Sequence, residues 1–210
     1  MKHYAGKKAE TYDRDRQNDP KWIFEEATLR AFFTSATGIK SIIDAPVGTG
    51  RFLPMFSPTH TVGYDCSEDM LKQAMKHGKA AKLELHDIVA APLPTRADLV
   101  VSFRFLNLID ACAAQQALEH LLAAAKKYIV FTCRVDEQSI KLGRVTVHPN
   151  SLVSDTLESA GFEIVESHVY PDSVPGRYTV FIAKRLSARK RKAQEQDDTD
   201  HQPDHDPTTD

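Results

Sequence analysis

The sequence predicts an α/β protein: a parallel sheet covered by helices on both faces. Three observations carry that class. Strand-like and helix-like patterns alternate from Ser35 to Arg185, as strand–helix–strand units require. Short β-branched or apolar runs close on acids at Asp44 and Asp65. A glycine-rich turn, Pro46-Val47-Gly48-Thr49-Gly50, follows the first run at once, at the end of the sheet where open sheets of this class take ligands.

Each element has a local reason. Asp19-Pro20 starts a helix over Lys21–Phe33, since proline suits the first turn, where its missing N–H has no partner to lose. Trp22, Ile23, Ala27, Leu29, Ala31 and Phe32 supply its apolar face. The first strand is expected over Lys40–Asp44 and the second over His60–Tyr64. Ser67 caps a helix whose first turn holds Glu68 and Asp69, favourable against the helix dipole. Met70, Leu71, Ala74 and Met75 have the spacing of its buried face, and Gly78 ends it.

Strands three, four and five are expected over Lys82–His86, Ala97–Phe103 and Lys127–Cys133. Between the last two a helix over Ala113–Ala125 turns Leu118, Leu121 and Leu122 inward. A further helix, Asn150–Ala160, closes on Gly161. Phe162–Tyr170 and Arg177–Arg185 are extended runs with a short joint, Pro171 to Gly176, so they are antiparallel neighbours. The organisation expected is an N-terminal lid and helix over 1–34, one domain over 35–186, and a charged tail over 187–210.

Composition narrows the class. The 210 residues are 41% apolar and 27% charged, with a net charge of −2, which suits one globular domain with a proper core. No apolar run reaches the roughly 18 residues of a membrane span. The charged N-terminus has no hydrophobic segment behind it, and Cys66, Cys112 and Cys133 are scattered. Those features point to a reducing cytoplasm and to neither disulfides nor a metal site. The tail runs from Arg185, Arg189, Lys190, Arg191 and Lys192 into seven acids. It reads as a solvated, disordered segment whose two charge blocks neutralise each other, which argues against nucleic acid as a partner.

The chemistry-bearing positions fall at one end of the sheet. Gly48 and Gly50 let backbone approach a ligand where a Cβ would obstruct it. Asp65 lies 21 residues after Asp44, where an acid can accept both hydroxyls of a ribose. Asp87 can accept from an exocyclic adenine amine while Ile88 packs on the ring, and Asp44 can orient the turn or a ligand ammonium. Each also has a purely structural alternative: a tight turn for the glycines, a helix cap for Asp65, a turn residue for Asp87. Together they suggest a nucleoside-containing cofactor. A dinucleotide would want a small residue at position 53, which is Leu53, and no phosphate-loop motif is present.

The motifs then become specific. Ile42-Ile43-Asp44-Ala45-Pro46-Val47-Gly48-Thr49-Gly50-Arg51-Phe52 resembles the first motif of class I S-adenosylmethionine-dependent methyltransferases. Gly63-Tyr64-Asp65-Cys66-Ser67-Glu68-Asp69-Met70-Leu71 resembles the second, and Leu85-His86-Asp87-Ile88 with Ala97–Ser102 the adenine-contacting and fourth-strand motifs. The resemblance covers residues 10–185. It implies a three-layer Rossmann-like fold with a seven-stranded, mostly parallel sheet in order 3-2-1-4-5-7-6, the last strand antiparallel. It also implies S-adenosyl-L-methionine as cofactor, held by Asp44, Gly48, Gly50, Asp65, Cys66, Met70, Asp87, Ile88 and Ser102, with Tyr12 as the lid residue. Pro46 stands where the family has its first loop glycine, which removes one N–H and fixes φ near −65°.

The acceptor is less legible. Methyl transfer is an in-line displacement that needs positioning and dryness more than a signature side chain. Arg104 and Asn107, just past strand four, sit where an acceptor approaches, and Arg104 can hold a carboxylate or phosphate or simply form a salt bridge. His148 is a candidate base. No motif of amino-methylating or cytosine-methylating DNA enzymes follows strand four, so a small molecule, or an exposed group on a larger one, is the expected acceptor. A non-catalytic cofactor-binding module of the same fold, or another reaction on the same cofactor, remain alternatives.

Overall fold

A computed structural model describes residues 6–56, 60–77 and 82–187. The helix-ending Gly78 and the basic-then-acidic tail beyond Ser187 lie outside the described residues. The helices are α1 (Lys7–Thr11), α2 (Pro20–Ser35), α3 (Glu68–Ala74), α4 (Ala111–Ala124) and α5 (Asn150–Ser159). The strands are β1 (Ile42–Asp44), β2 (Thr61–Asp65), β3 (Lys82–Leu85), β4 (Ala97–Ser102), β5 (Ala125–Asp136), β6 (Ile140–Leu142), β7 (Val145–Pro149), β8 (Phe162–Tyr170) and β9 (Arg177–Arg185).

The sheet runs β3-β2-β1-β4-β5 with parallel pairing, then β9 antiparallel to β5 and β8 antiparallel to β9. With β9 as the seventh expected strand and β8 as the sixth, this is the order the motifs imply. Side-chain alternation splits the core in two. Ile43, Val100, Ile129 and Phe131 face α4 and α5, with Leu118, Leu121, Leu122, Val153 and Leu157 opposite them. Ile42, Leu99, Val101 and Val130 join Leu29 and Phe32 of α2 and Ala74 of α3 on the other face. Every residue of β4 is buried, as a parallel strand covered on both faces must be.

The strand count departs from expectation. Between β5 and α5 the sequence pattern assigns no strand, yet β6 and β7 form a hairpin there with Leu142 opposite Val145. The turn residue Gly143 has φ of +58°, the conformation that two-residue hairpin turns demand. Val135 is registered with both Arg177 of β9 and His148 of β7. The hairpin therefore takes the edge of β5 that β4 leaves after Ser102 meets Phe131, and it stands beyond the carboxyl end of β4.

The caps follow local chemistry. Asp19 accepts from Lys21 N at 2.9 Å and Ser67 from Met70 N at 3.3 Å. The inward stripe of α2 is corrected, however. Glu25, Thr28, Leu29 and Phe32 are buried, whereas Ile23 is 62% exposed and Ala27 and Ala31 face outward. The i, i+3/i+4, i+7 register through Leu29 and Phe32 passes through Glu25, so an acid occupies a core position. Met75, expected in the buried face of α3, is its exposed C-cap.

Candidate functional site

A cavity of about 910 Å³, its open mouth included, lies over the carboxyl ends of β1, β2, β3 and β4. Its first wall is the turn after β1. Ala45 N donates to Val101 O at 2.9 Å and Val47 N to Tyr64 O at 2.7 Å, which clamps the turn between β4 and β2. The Ala45–Pro46 peptide is cis, and Pro46 and Val47 also line the cavity. Gly48 has φ of +56°, and a Cβ built on it meets nothing within 4 Å. Backbone here faces open space, as a cradle for a ligand requires.

Gly50 serves a different end. Its φ is +81°, and a Cβ would stand 2.8 Å from Leu53 Cδ1 and 2.9 Å from Ala74 Cα. It lets the turn pack against α3 and does not line the cavity.

Asp65 ends β2 at 6% exposure. Its Oδ2 accepts from Gly48 N at 2.9 Å and its Oδ1 from Ser67 N at 2.8 Å, so it knits the two loops together and leaves lone pairs toward the cavity. Burial raises its pKa, against the opposing pull of those backbone donors. Asp87 closes a turn by accepting from Val89 N at 2.9 Å through Oδ1. Its side chain also lines the cavity beside Ile88, Cys66 and Met70. The cap and turn roles weighed for these acids thus coexist with a place in the cavity wall.

Asp44 is 3% exposed. Burial pushes its pKa up to about 8; Arg51 opposes that shift and Asp65 adds to it. Tyr12 lines the cavity from the N-terminal segment. That segment is anchored where Thr49 Oγ1 donates to Asp13 at 2.6 Å and Gly6 N to Asp69 at 2.8 Å.

The far wall rests on a buried charge network that sequence reasoning missed. Glu25 of α2, fully buried, accepts from Arg51, from Arg104 Nε at 2.7 Å and from the Tyr178 hydroxyl. Arg104 Nη1 reaches Asp19 at 2.9 Å. Burial works against the charge on Arg104, but Glu25, Tyr178 and Asp19 together outweigh it and hold the pKa above its ordinary range. Tyr178 is raised by burial and by Glu25, so it remains a donor. Arg51 is stacked 3.9 Å over Phe52 and 4.6 Å over Trp22, which immobilises it. The one legible signal was Glu25 itself, an acid in the apolar register of α2.

Other expected residues lie elsewhere. Ser102 is buried behind the end of β4 and does not line the cavity. Asn107 Nδ2 donates to Thr146 O at 3.2 Å, and His148 Nε2 lies 2.8 Å from Leu106 O. Both tie the 3₁₀ turn Leu106–Leu108 to β7 and stay outside the cavity wall. His148 is fully buried, and burial lowers its pKa. Arg104 lines the cavity, as do Phe103, Phe105 and Leu108, which the motifs did not single out.

A family model described as a methyltransferase domain matches residues 42–127. No curated protein matches in sequence. Among solved structures, magnesium protoporphyrin IX methyltransferase from Synechocystis, with bound S-adenosylmethionine, is 16% identical with a TM-score of 0.70, covering 88% of this chain and 94% of its own. DesVI of Streptomyces venezuelae is 17% identical with a TM-score of 0.66 over 87% and 100%. A TehB-like S-adenosylmethionine-dependent methyltransferase of Corynebacterium glutamicum is 19% identical with a TM-score of 0.63 over 85% and 98%. The family model bears out the resemblance to methyltransferases over residues 42–127, and the solved structures bear out the fold it implies. No helix among the described residues is long and apolar enough to cross a membrane.

Proposed function

From a methyltransferase fold with one cavity at the carboxyl ends of its strands, we propose that this protein moves a methyl group from S-adenosylmethionine to a small-molecule acceptor. The observation that carries the reading is the convergence of Gly48, Asp65 and Asp87 on that cavity, with open space where a Gly48 side chain would be. When bound, the cofactor supplies an electrophilic methyl: the acceptor's lone pair forms the new bond to carbon as the carbon–sulfur pair returns to sulfur.

The chain's residues bind, orient and dry that encounter. Asp65 takes the ribose hydroxyls, and Asp87 the exocyclic amine, with Ile88, Cys66 and Met70 around the adenosine. The Gly48 backbone follows the methionine portion. Asp44, deep in the cavity, exchanges its proton for the ligand's ammonium, since a cation close by favours its charged form. Gly50 and Ser102 shape the loop and strand end from behind. Tyr12 closes over the mouth and excludes water, with residues 6–34 acting as the lid and acceptor-side segment of the domain. Phe103, Arg104, Phe105 and Leu108 face the acceptor. The free cysteines fit a reducing compartment such as the cytoplasm.

Calorimetry with S-adenosylmethionine and S-adenosylhomocysteine tests the reading. Both should bind with one site per chain, and Asp65→Ala should abolish measurable binding. Binding to neither, or wild-type behaviour of Asp65→Ala, overturns it. Binding without methyl transfer to any of a broad acceptor panel would favour a non-catalytic cofactor-binding module.

A further inference from the structure

Among the described residues the cavity wall holds two guanidiniums, Arg51 and Arg104, and both are always charged. The cofactor proposed for this cavity is itself a cation at sulfur. S-Adenosylmethionine carries a sulfonium there, whereas S-adenosylhomocysteine carries a neutral thioether, and their other charged groups are the same. A wall with uncompensated guanidinium charge would therefore favour the spent product over the methyl donor.

The fold answers that charge from behind the wall. Glu25 is fully buried, so no ligand in the cavity touches it. Its Oε2 pairs with Arg51, and its Oε1 takes Arg104 Nε at 2.7 Å. Asp19 adds a second acid 2.9 Å from Arg104 Nη1, but it is about one-third exposed, so solvent screens its contribution. Neither arginine is free to turn away. Arg51 lies 3.9 Å from the centre of the Phe52 ring and 4.6 Å from that of Trp22. Arg104 has a backbone φ of +57°, and its N–H is pinned to Thr132 Oγ1 at 2.7 Å. Guanidinium charge reaches the depth of the cavity, since Arg51 draws the Asp44 pKa down against burial.

We infer that Glu25 raises the cavity's affinity for the cationic methyl donor relative to its neutral product, by cancelling guanidinium charge in the wall. It is a positioning residue that acts through Arg51 and Arg104. Once the methyl has left with the acceptor and the bonding pair has returned to sulfur, the product is neutral there and loses this attraction. The inference rests on the methyltransferase reading above, which makes S-adenosylmethionine the ligand.

The test compares affinities of the full chain for S-adenosylmethionine, sinefungin and S-adenosylhomocysteine by calorimetry. Sinefungin carries an ammonium in place of the methylated sulfur and serves as a second cation. An unbalanced unit charge about 10 Å away, at an effective dielectric of about 20, changes a cation's affinity about tenfold. Glu25→Gln should therefore weaken both cations about tenfold more than it weakens S-adenosylhomocysteine. A merely structural role would weaken all three alike. Arg51→Gln should move the cation-to-neutral ratio the other way, and the double variant should return it to within about threefold of wild type. Asp65 and Asp87 are unchanged throughout, so their charge drops out of the comparison. A ratio within about twofold of wild type in Glu25→Gln, or a double variant that keeps the shift of either single one, overturns the inference. If Glu25→Gln does not fold, Arg51→Gln decides alone, and an unchanged ratio there overturns it equally. Failure of wild type to bind any of the three ligands would instead overturn the cofactor reading.

Discussion

The two walls of the cavity are built by opposite strategies. The loop wall, proposed to face the cofactor, comes from short runs of neighbours: Asp44 and Pro46 through Thr49, Asp65 through Ser67, His86 through Ile88. Its hydrogen bonds are short-range or join adjacent loops, as from Gly48 N to Asp65 and from Ser67 N to Asp65. The far wall, proposed to face the acceptor, is assembled from distant segments around one acid. Glu25 meets Arg51, Arg104 and Tyr178, 26, 79 and 153 residues away in the chain. A backbone-lined wall follows from local turn chemistry, whereas a side-chain network exists only once the sheet and α2 are packed.

The largest expected effect breaks the distant wall. Glu25→Ala leaves Arg51 and Arg104 buried without their shared partner and should cost about 3–5 kcal/mol in denaturant unfolding. The neighbouring surface acid is the control: Glu26 pairs with Arg30 at 2.7 Å on an exposed face, and Glu26→Ala should cost no more than about 0.5 kcal/mol. Similar losses in the two variants would show that the buried network contributes no more than a surface pair.

The two loop glycines sharpen the contrast within the local wall. Gly50→Ala forces a Cβ into Ala74 and Leu53 at positive φ and should destabilise by about 2–4 kcal/mol. Gly48→Ala pays only for its φ, about 1 kcal/mol, yet its methyl enters the ligand's space and should weaken S-adenosylhomocysteine binding about tenfold or more. If Gly48→Ala binds like wild type, the open face of the turn is not the cofactor cradle. Asp65→Asn should weaken binding about 10–100-fold, since hydrogen bonds to a charged group contribute about 1.5–3 kcal/mol, with most of the stability retained.

The deepest acid of the loop wall adds a pH dependence. Asp44 has a folded pKa of about 8 against an ordinary value of 3.8. The folded state therefore holds a proton that the unfolded state has lost. Its stabilising contribution is complete below pH 3.8 and declines as pH rises toward 8. Binding of a ligand ammonium expels that proton, so S-adenosylhomocysteine affinity should rise by up to about tenfold per pH unit below pH 8. Calorimetry in buffers of different ionisation enthalpy reads the released proton directly. Asp44→Asn should remove both the release and the slope; an unchanged slope would place the titrating group elsewhere.

Much of the fold was legible. Phe162–Tyr170 and Arg177–Arg185 appear with the expected bounds, and Ser67 caps α3 as its chemistry requires. What failed did so for specific reasons. The β6–β7 hairpin is only three and five residues long, too short for a clear alternation, and it is held by β5 and the Leu106–Leu108 turn. His148 resembles a base in the sequence and is a buried bridge to Leu106 in the fold. Gly50 and Gly48 look equivalent in the motif; only the position of Ala74 separates a packing glycine from a ligand-facing one.

The sequence by itself determined the sheet order, the glycine turn after β1 and the acids at three strand ends, because those depend on periodicity and on turns made by neighbouring residues. The tertiary structure alone decided the far wall, built around Glu25. A buried carboxylate on α2 is tolerable only where two guanidiniums and a phenol converge on it, and that convergence depends on the packing of α2 against the strand ends, which no local pattern encodes.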